Sequence, residues 1–297
     1  MTVAATLRAA NPIEFYREHL KHDVRPNGRA LMRARRPQVA SGNAIASADG
    51  SALLRLGQTS VIVGVQCEPV APAPEETDSE ESRGRIVVSI DLPAICSPAA
   101  AGVSGMSLGG AAGAAGRSGQ VEREKAVLTE LLQRTASDGL VDLTSLLAVK
   151  GHAVWSCHCD VVVLEHDGNL ADAALLAMMV ALSRVRLPRC KWDEEHGALV
   201  VEEERALPLS LATPLYPSTF AMVGGSMLFD PTAEEESLAT SLFTLMLDAS
   251  GELRSLHKPG GAPLPDGSLE ACVQAAQQRL PLLAELISSS ASKDDEK

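Results

Sequence analysis

Residues 157–182 read CHCDVVVLEHDGNLADAALLAMMVAL, a β-branched run followed by a polar turn and a long apolar run. The β-branched run predicts a buried strand, and the DGN sequence at 167–169 predicts a turn that caps a helix. The apolar residues 170–185 predict that helix. A strand that passes directly into a helix indicates a fold of sheets covered by helices.

The cysteines and histidines of this stretch raise the question of a metal site. Cys157 and Cys159 are two apart on the predicted strand and therefore face the same side, with His158 opposite. Structural zinc sites use spaced pairs such as Cys-x-x-Cys, and no second Cys or His pair accompanies this one. We expect no metal and no cofactor, and we interpret both thiols as small apolar groups that pack inward.

Asp160 and Asp167 are candidates for chemistry, because carboxylates near a strand end that leads into a helix often bind metals or transfer protons. Asp167 is equally well explained as a turn and cap residue, and spacing alone leaves both interpretations open. A serine nucleophile of the Gly-x-Ser-x-Gly type is excluded because that motif does not occur. GAAGAAG at 110–116 is not followed by Lys-Ser/Thr, as a phosphate-binding loop requires.

Charge and composition narrow the function classes. The 26 basic and 38 acidic residues give a formal net charge of −12, which argues against tight RNA or DNA binding by the chain alone. The start, MTVAATLRAANPIEF, shows no signal peptide, so we expect the six cysteines to be reduced. The apolar run of 16 residues at 170–185 is shorter than the roughly 20 residues that cross a bilayer. We therefore expect no membrane span.

The rest of the chain also mixes strands and helices. Two β-branched runs on either side of 56–59 predict a hairpin, and the last third reads as strands followed by a closing helix. Proline and acidic residues at 71–84, and glycine and alanine at 97–119, predict flexible loops. We predict an α+β fold of two related sheet-and-helix halves. The predicted units are a first domain at 11–190, a second domain at 191–290 and a disordered tail at 291–297.

The segment VRPNGRALMRARRPQ, residues 24–38, carries five arginines without periodicity. It is either a loop with a function or a solvated connection, and the sequence leaves both open. We expect Arg33, Arg35 and Arg36 to meet acidic neighbours on another subunit or to be solvated.

Four motifs together resemble the RNase PH family. They are RPNGR at 25–29, ASADGSALLRLGQTSVIVGV at 46–65, DVVVLEHDGNLADAALLAMMVAL at 160–182 and LFDPTAEEESLATSLFTLMLDASGELRSLHKPGG at 228–261. The resemblance covers roughly residues 11–287, apart from the loop and the glycine-rich segment. It implies the RNase PH fold, with mixed β-sheets and packed helices in two domains.

The resemblance implies a site for phosphorolysis that has been altered. Active members cleave RNA from its 3′ end with inorganic phosphate, and Asp167 matches their catalytic carboxylate. Apolar Leu170 and Ala171 stand where those members carry Thr and Arg, and Glu124 stands where they carry a phosphate-binding arginine. The phosphate loop Gly-Arg-Ser/Ala corresponds to residues 133–135, Gln-Arg-Thr. A carboxylate at 124 repels phosphate by about 1 to 4 kcal/mol at roughly 4 Å.

These substitutions resemble the silent subunit type of the exosome ring. The resemblance implies a non-catalytic ring subunit with vestigial Asp167, whose partners are other ring subunits, cap subunits and single-stranded RNA in the assembled pore. It implies residence in the nucleus and nucleolus and also in the cytoplasm. The alternative is a phosphorolytic exoribonuclease whose site a partner completes. The candidate RNA-binding residues are Arg117, Arg123 and Arg134. The alternative for each of them is a solvated surface arginine.

Overall fold

The computed structural model describes residues 8, 10–40, 44–72, 83–96, 112–202, 207–209 and 211–292. Within this part, side chains at 94, 112–118, 120 and 291–292 are not described. None of the described helices combines the length and the hydropathy that crossing a membrane needs. The described residues form two main sheets, each covered by helices, and the α+β prediction is confirmed.

The first sheet has six strands and contains the predicted hairpin. Its order is β1-β2-β3-β6-β4, with β5 also paired to β6. All its pairs are antiparallel except the parallel pair of β4 and β6. Leu56 pairs with Thr59 across the hairpin turn, as the sequence predicts. The strands are β1 Pro37–Val39, β2 Gly50–Leu56, β3 Thr59–Val70, β4 Arg85–Asp91, β5 Leu147–Val149 and β6 Ala153–Glu165.

Three helices lie before or on the first sheet. Helix α1, Pro12–Leu20, is capped by Asn11. Helix α3, Leu170–Ser183, packs on β2 and β3 and is buried on nearly every face, which is why its sequence shows no polar stripe. Helix α2, Ala112–Thr135, packs on β4.

The start of α2 corrects one prediction. The flexible loop was expected to reach residue 119, but the helix already begins at Ala112. Alanine is the strongest helix former, so the alanines among these glycines extend the helix backwards from its apolar turns. The remainder of that predicted loop, 97–111, and most of the loop at 71–84 lie outside the described residues.

The second sheet has four antiparallel strands in the order β12-β11-β13-β14. The sequence predicts a strand from Leu238 onward, but Leu238 is the last residue of a short helix. A capping box of Thr232 and Glu235 starts this helix. Two small two-stranded pairs complete the fold. The remaining elements are β7 Arg186–Leu187, β8 Cys190–Asp193, β9 Ala198–Val201, β10 Leu207–Pro208, β11 Tyr216–Val223, β12 Ser226–Phe229, α4 Ala233–Leu238, β13 Ser241–Leu247, β14 Leu253–His257 and α5 Ser268–Ser292.

The closing helix α5 connects the two halves. It packs on β11 and β13 of the second sheet and also on α3 and β1 of the first half. Its Leu283 and Ile287 join the same apolar core as the first sheet. The helix continues to Ser292, so the predicted disordered tail cannot begin at 291; residues 293–297 lie outside the described part. The predicted domain boundary at 190 stays a prediction.

The turn between β6 and α3 packs directly on backbone of the second half. Gly168 has φ of +78°. A Cβ at this position would lie 2.4 Å from the backbone nitrogen of Ala233 and 2.4 Å from the backbone carbon of Thr232. The Gly168 carbonyl also accepts a hydrogen bond of 2.7 Å from the buried Thr59 hydroxyl. Only glycine allows the two halves to approach this closely.

Replacing Gly168 with Ala is therefore expected to destabilise the protein strongly. The positive φ lowers the free energy of unfolding by about 1 kcal/mol or more when alanine replaces glycine. The backbone clash adds a few kcal/mol, so the total loss is expected to be about 3 kcal/mol or more. Gly267→Ala is the control, because Gly267 has φ of +76° and a Cβ there would meet nothing within 4 Å. Urea unfolding of both variants measures the difference, and equal losses would refute the close-approach explanation.

Candidate functional site

A buried carboxylate, Asp230, lies at the junction of the two halves. It is 0% exposed, and its Oδ2 accepts hydrogen bonds from Arg29 Nη1 at 2.9 Å and from Arg35 Nε at 2.8 Å. Its Oδ1 accepts from Arg35 Nη2 at 2.9 Å and from Asn169 Nδ2 at 2.6 Å. Burial raises the pKa of Asp230, but the arginines outweigh burial and hold it at about 2. Asp230 is therefore ionised and links both halves.

Arg25 ties the N-terminal segment to the same junction. Its side chain is fully buried and donates to the carbonyl oxygens of Phe229 and Asp230 and to the Glu235 carboxylate at 3.1 Å. Burial lowers the pKa of Arg25 to about 10, so the guanidinium stays charged at neutral pH. The interpretation of VRPNGRALMRARRPQ as a solvated connection is therefore wrong for Arg25.

Arg35 corrects a second expectation. It was expected to meet acidic groups on another subunit or to be solvated, but its side chain is 11% exposed and pairs with Asp230 of its own chain. The acidic partner lies 195 residues away in sequence, which local reasoning does not detect.

Asp167 lies beside Arg35 at the edge of this junction. Its backbone N–H donates to the Thr59 hydroxyl at 3.0 Å, and its Oδ2 lies 3.5 Å from Arg35 Nη1. The side chain is 38% exposed. Asp160 is exposed in the middle of β6. It pairs with Gly64 of β3 and Ser89 of β4, away from the turn that holds Asp167.

A cavity of about 410 Å³ lies between α2, the start of α3, α4 and the second sheet. Leu170 and Ala171, which stand where the resemblance implies Thr and Arg, line it. Its wall is mostly apolar, and its acidic and imidazole groups come from four separate places in the fold: α2, the turn before α3, α4 and β14. The lining includes Arg123, Glu124, Val127, Leu128, Leu131, His166, Asn169, Leu170, Ala171, Glu236 and Phe243.

Glu124 and His166 form a hydrogen-bonded pair on the cavity wall. The Nε2 of His166 lies 2.7 Å from Glu124 Oε1, and the Gly168 N–H donates to Nδ1 at 3.1 Å. Because Nδ1 accepts, the ring proton lies on Nε2 and points at the carboxylate. The carboxylate predicted to oppose phosphate therefore faces the cavity and is held there by its own chain.

Glu236 is the second carboxylate of the cavity. Its Oε1 accepts the Asn169 N–H at 2.7 Å. The side chain is only partly exposed, and burial raises its pKa to about 7 against the opposing effects of His166 and the Asn169 N–H. Glu236 is therefore a group that titrates near neutral pH.

Two of the three candidate RNA-binding arginines, Arg123 and Arg134, have described side chains, and they line different cavities. Arg123 is exposed and lines the 410 Å³ cavity. Arg134 lies on the same helix and is 74% exposed, with Nε 3.4 Å from Asp138 Oδ2. It lines a second cavity of about 390 Å³, which shares Leu131 with the first. The Arg117 side chain lies outside the described part of the structure.

Sequence reasoning did not identify the contacts of several site residues, namely Arg25, Arg35, His166, Asp230 and Glu236. The acidic run at 230–236 was the available signal, but its partners are remote in sequence. Among the described residues, no group of three or more His, Cys, Asp or Glu side chains is arranged to hold a metal ion.

Replacing Glu236 with Gln is expected to stabilise the protein more at about pH 8 than at about pH 5. The pKa is raised from 4.5 to about 7 in the folded protein, so the folded state binds the proton more tightly than the unfolded state does. The stabilisation that protonated Glu236 gives the wild-type protein is complete below about pH 4.5 and is lost as the pH rises through about 7. The Gln side chain keeps an acceptor for the Asn169 N–H.

Urea unfolding at the two pH values measures the effect, with a difference of about 1 to 3 kcal/mol expected between them. Glu122→Gln, an exposed carboxylate on α2, is the control and should show little pH dependence. A Glu236→Gln effect that is equal at both pH values would contradict the raised pKa.

Both halves of the chain match models of known protein families. Residues 33–188 match the 3′ exoribonuclease family, domain 1, and residues 214–279 match the 3′ exoribonuclease family, domain 2. The two matches follow the two sheets described above.

Individual proteins are similar over nearly their whole length. The exosome complex component rrp43 of Schizosaccharomyces pombe is 28% identical over 268 residues, which are 90% of this chain and 92% of that protein. The exosome complex component Rrp42 of Thermococcus gammatolerans is 31% identical over 82% of this chain and 81% of that protein.

A solved structure, the Archaeoglobus fulgidus exosome with RNA bound to the active site, contains a chain with the same fold. The TM-score is 0.73 at 26% sequence identity, and the match covers 94% of this chain and 98% of that chain. Two domain matches, two related proteins and a shared fold agree with one another. The chain belongs to the 3′ exoribonuclease family and has the RNase PH fold in both of its domains.

Proposed function

We propose that this protein is a non-catalytic structural subunit of the hexameric ring of the RNA exosome. It supports 3′-to-5′ RNA processing and degradation by holding the ring together and by guiding single-stranded RNA to a separate nuclease. The observation that carries the proposal is the cavity beside His166, whose wall holds the Glu124 carboxylate. The family resemblance implies a phosphate-binding arginine at the position of Glu124. The exosome components among its relatives support the ring assignment.

The altered phosphate loop supports a non-catalytic role. Gln133 receives the Val88 N–H on its Oε1 and donates from Nε2 to the Ile86 carbonyl, each at 2.8 Å, so it is bound to strand β4. The Thr135 hydroxyl donates to the Leu131 carbonyl at 2.7 Å. Neither side chain is available to hold an anion, because Gln133 is hydrogen-bonded to β4 and Thr135 to the backbone of its own helix.

The apolar floor of the cavity supports the same conclusion. Phosphorolysis requires that an attacking phosphate and the scissile phosphodiester be held together, which needs several cationic or N–H donors. Leu170 and Ala171 provide none from their side chains, and Glu124 and Glu236 are acidic. Arg123 is the single arginine or lysine among the described residues of the lining. The cavity therefore resists two neighbouring anions.

The surface of the chain suits a ring subunit. Strands β4 and β14 lie at edges of their sheets, and both present apolar side chains to solvent. Exposed edges of this kind favour pairing with other chains. We propose that other RNase PH-like ring subunits cover them and that cap subunits bind the assembled ring. The exposed apolar residues of these two strands are Val87, Leu253 and Leu256.

Within the eukaryotic subunits we assign the chain to the ribosomal-RNA-processing type numbered forty-three. The start NPIEFYREHL, which forms α1, resembles that type, and the S. pombe relative carries the same number. This assignment implies residence in the nucleus and nucleolus and also in the cytoplasm, which fluorescence microscopy of the tagged chain would test.

The alternative, a phosphorolytic exoribonuclease completed by a partner, is kept open by Asp167, whose carboxylate is retained and partly exposed. An assay with RNA and inorganic phosphate separates the two functions. The chain alone, and paired with its ring neighbours, is expected to release no nucleoside diphosphate, because a single arginine beside two carboxylates does not hold phosphate in position.

The control is an active member of the family in the same assay, and Asp167→Ala is the matched variant of this chain. We expect Asp167→Ala to leave the background release of nucleoside diphosphate by the assembled ring unchanged. Steady diphosphate release that disappears in Asp167→Ala would overturn the non-catalytic assignment.

Two arginines of α2 allow a test of RNA guidance in the assembled ring. Exposed Arg123 and Arg134 lie on one helix eleven residues apart, so both project from nearly the same face of α2. Replacing each with Gln should weaken RNA binding by the ring and reduce the slope of log affinity against log salt by about one per arginine. Arg17→Gln on α1, which is also exposed, is the control. Equal losses of RNA affinity in all three variants would show that Arg123 and Arg134 do not contact RNA.

A further inference from the structure

Three of the six cysteines lie on the two central strands of the first sheet. Cys67 on β3 is directly opposite Cys157 on β6, and their sulfur atoms are 3.1 Å apart. Cys159 lies opposite Val65, two pairs further along the same two strands. Cys157 and Cys159 are fully buried, whereas Cys67 is partly exposed. The expectation that Cys157 and Cys159 pack inward is confirmed, but it did not anticipate Cys67 as a neighbour.

The backbone geometry at this pair suits a covalent bond. The Cys67 N–H donates to Asp49 Oδ2 at 2.7 Å, and the Val65 carbonyl accepts the Asp49 N–H at 2.9 Å. Both groups therefore point towards β2 and away from β6. Cys67 and Cys157 thus form a non-hydrogen-bonded pair of an antiparallel ladder, the kind in which the Cα atoms are closest, about 4.5 Å apart. This separation is within the range of about 4.4 to 6.8 Å found for disulfides.

We propose that Cys67 and Cys157 form a reversible disulfide when the protein meets a hydroperoxide. The Cys67 thiolate attacks the peroxide, which breaks the O–O bond and leaves a sulfenic acid and one hydroxylic product. The Cys157 thiolate then attacks the Cys67 sulfur and releases water as the S–S bond forms. Two electrons pass from the two thiols to the peroxide, and the two thiol protons end on the two oxygen products.

Exposure decides the order of the two steps. Cys67 is the member of the pair that solvent reaches, so an oxidant encounters it first. Cys157 is shielded and lies next to the sulfur it must attack. Cys159 lies opposite Val65 and not opposite Cys67, so it is placed less favourably to attack the Cys67 sulfur. The structure thus assigns Cys67 as the oxidised thiol and Cys157 as the resolving thiol.

The bond would cross-link β3 and β6 across 90 residues of sequence, including the segments 73–82 and 97–111. Cross-linking long loops restricts the unfolded chain. Because Cys67 is partly exposed, a reductant can reach the bond, and exposed disulfides are reduced more easily than buried structural ones. The expected modification is therefore one that thiol reductants reverse.

Peptide mapping of the full chain tests the proposal. The reduced protein is treated with hydrogen peroxide, remaining thiols are blocked with N-ethylmaleimide, and the protease digest is analysed by mass spectrometry. We expect the six thiols to fall by two and the main cross-linked peptide to join Cys67 to Cys157. Dithiothreitol should restore both thiols and remove the cross-linked peptide.

Cys67→Ser should abolish the cross-link, and Cys190→Ser, which changes another partly exposed cysteine, should leave its yield unchanged. Since Cys67 is not fully buried, its serine variant is expected to fold, and circular dichroism checks this. Three results would overturn the proposal: conversion of Cys67 to sulfinic or sulfonic acid without a cross-link, a main cross-link to Cys159, or equal yields in wild type and Cys67→Ser.

Discussion

The carboxylate of Asp230 is buried where the two halves of the chain meet, and it receives hydrogen bonds from Arg29, Arg35 and Asn169. An ionised group in such a position is stable only while its partners remain, since removal of one partner from a buried pair costs about 3 to 5 kcal/mol. These contacts bring the DGN turn at 167–169 against the loop that begins at Asp230. The close approach at Gly168, and with it the shape of the neighbouring cavity, depends on this junction.

The cavity beside the junction lies between helices and strands of both halves, and its lining combines carboxylates with apolar groups. Asp167 is still at the strand end, yet its nearest cation, Arg35, is engaged with Asp230. Glu124 and His166 bond to each other on the wall, and the first turn of α3 contributes Leu170 and Ala171. The same helices and strands that would position an anion therefore present carboxylates and apolar groups. Under the proposed function, this lining accounts for a subunit that has no turnover and keeps the fold that its ring neighbours contact.

Local sequence patterns predicted much of the fold because strands, turns and helices depend on neighbouring residues. The 56–59 hairpin and the strand–turn–helix unit at 157–182 are examples. The same patterns missed the start of α2 at Ala112, where helix propensity outweighed the glycines. They also could not pair Arg35 with Asp230 or Cys67 with Cys157, because these contacts are set by the arrangement of strands and loops. Substitutions at the cavity were visible in the sequence, but the roles of Glu236 and His166 were not.

The non-catalytic assignment requires that the chain no longer binds inorganic phosphate beside Asp167. Phosphorus-31 NMR of inorganic phosphate, titrated with the ring assembled around this subunit and with catalytic neighbours inactivated, measures this directly. We expect no chemical-shift change or line broadening attributable to this chain, and no difference between wild type and Asp167→Ala. Saturable phosphate binding that changes in Asp167→Ala would contradict the assignment.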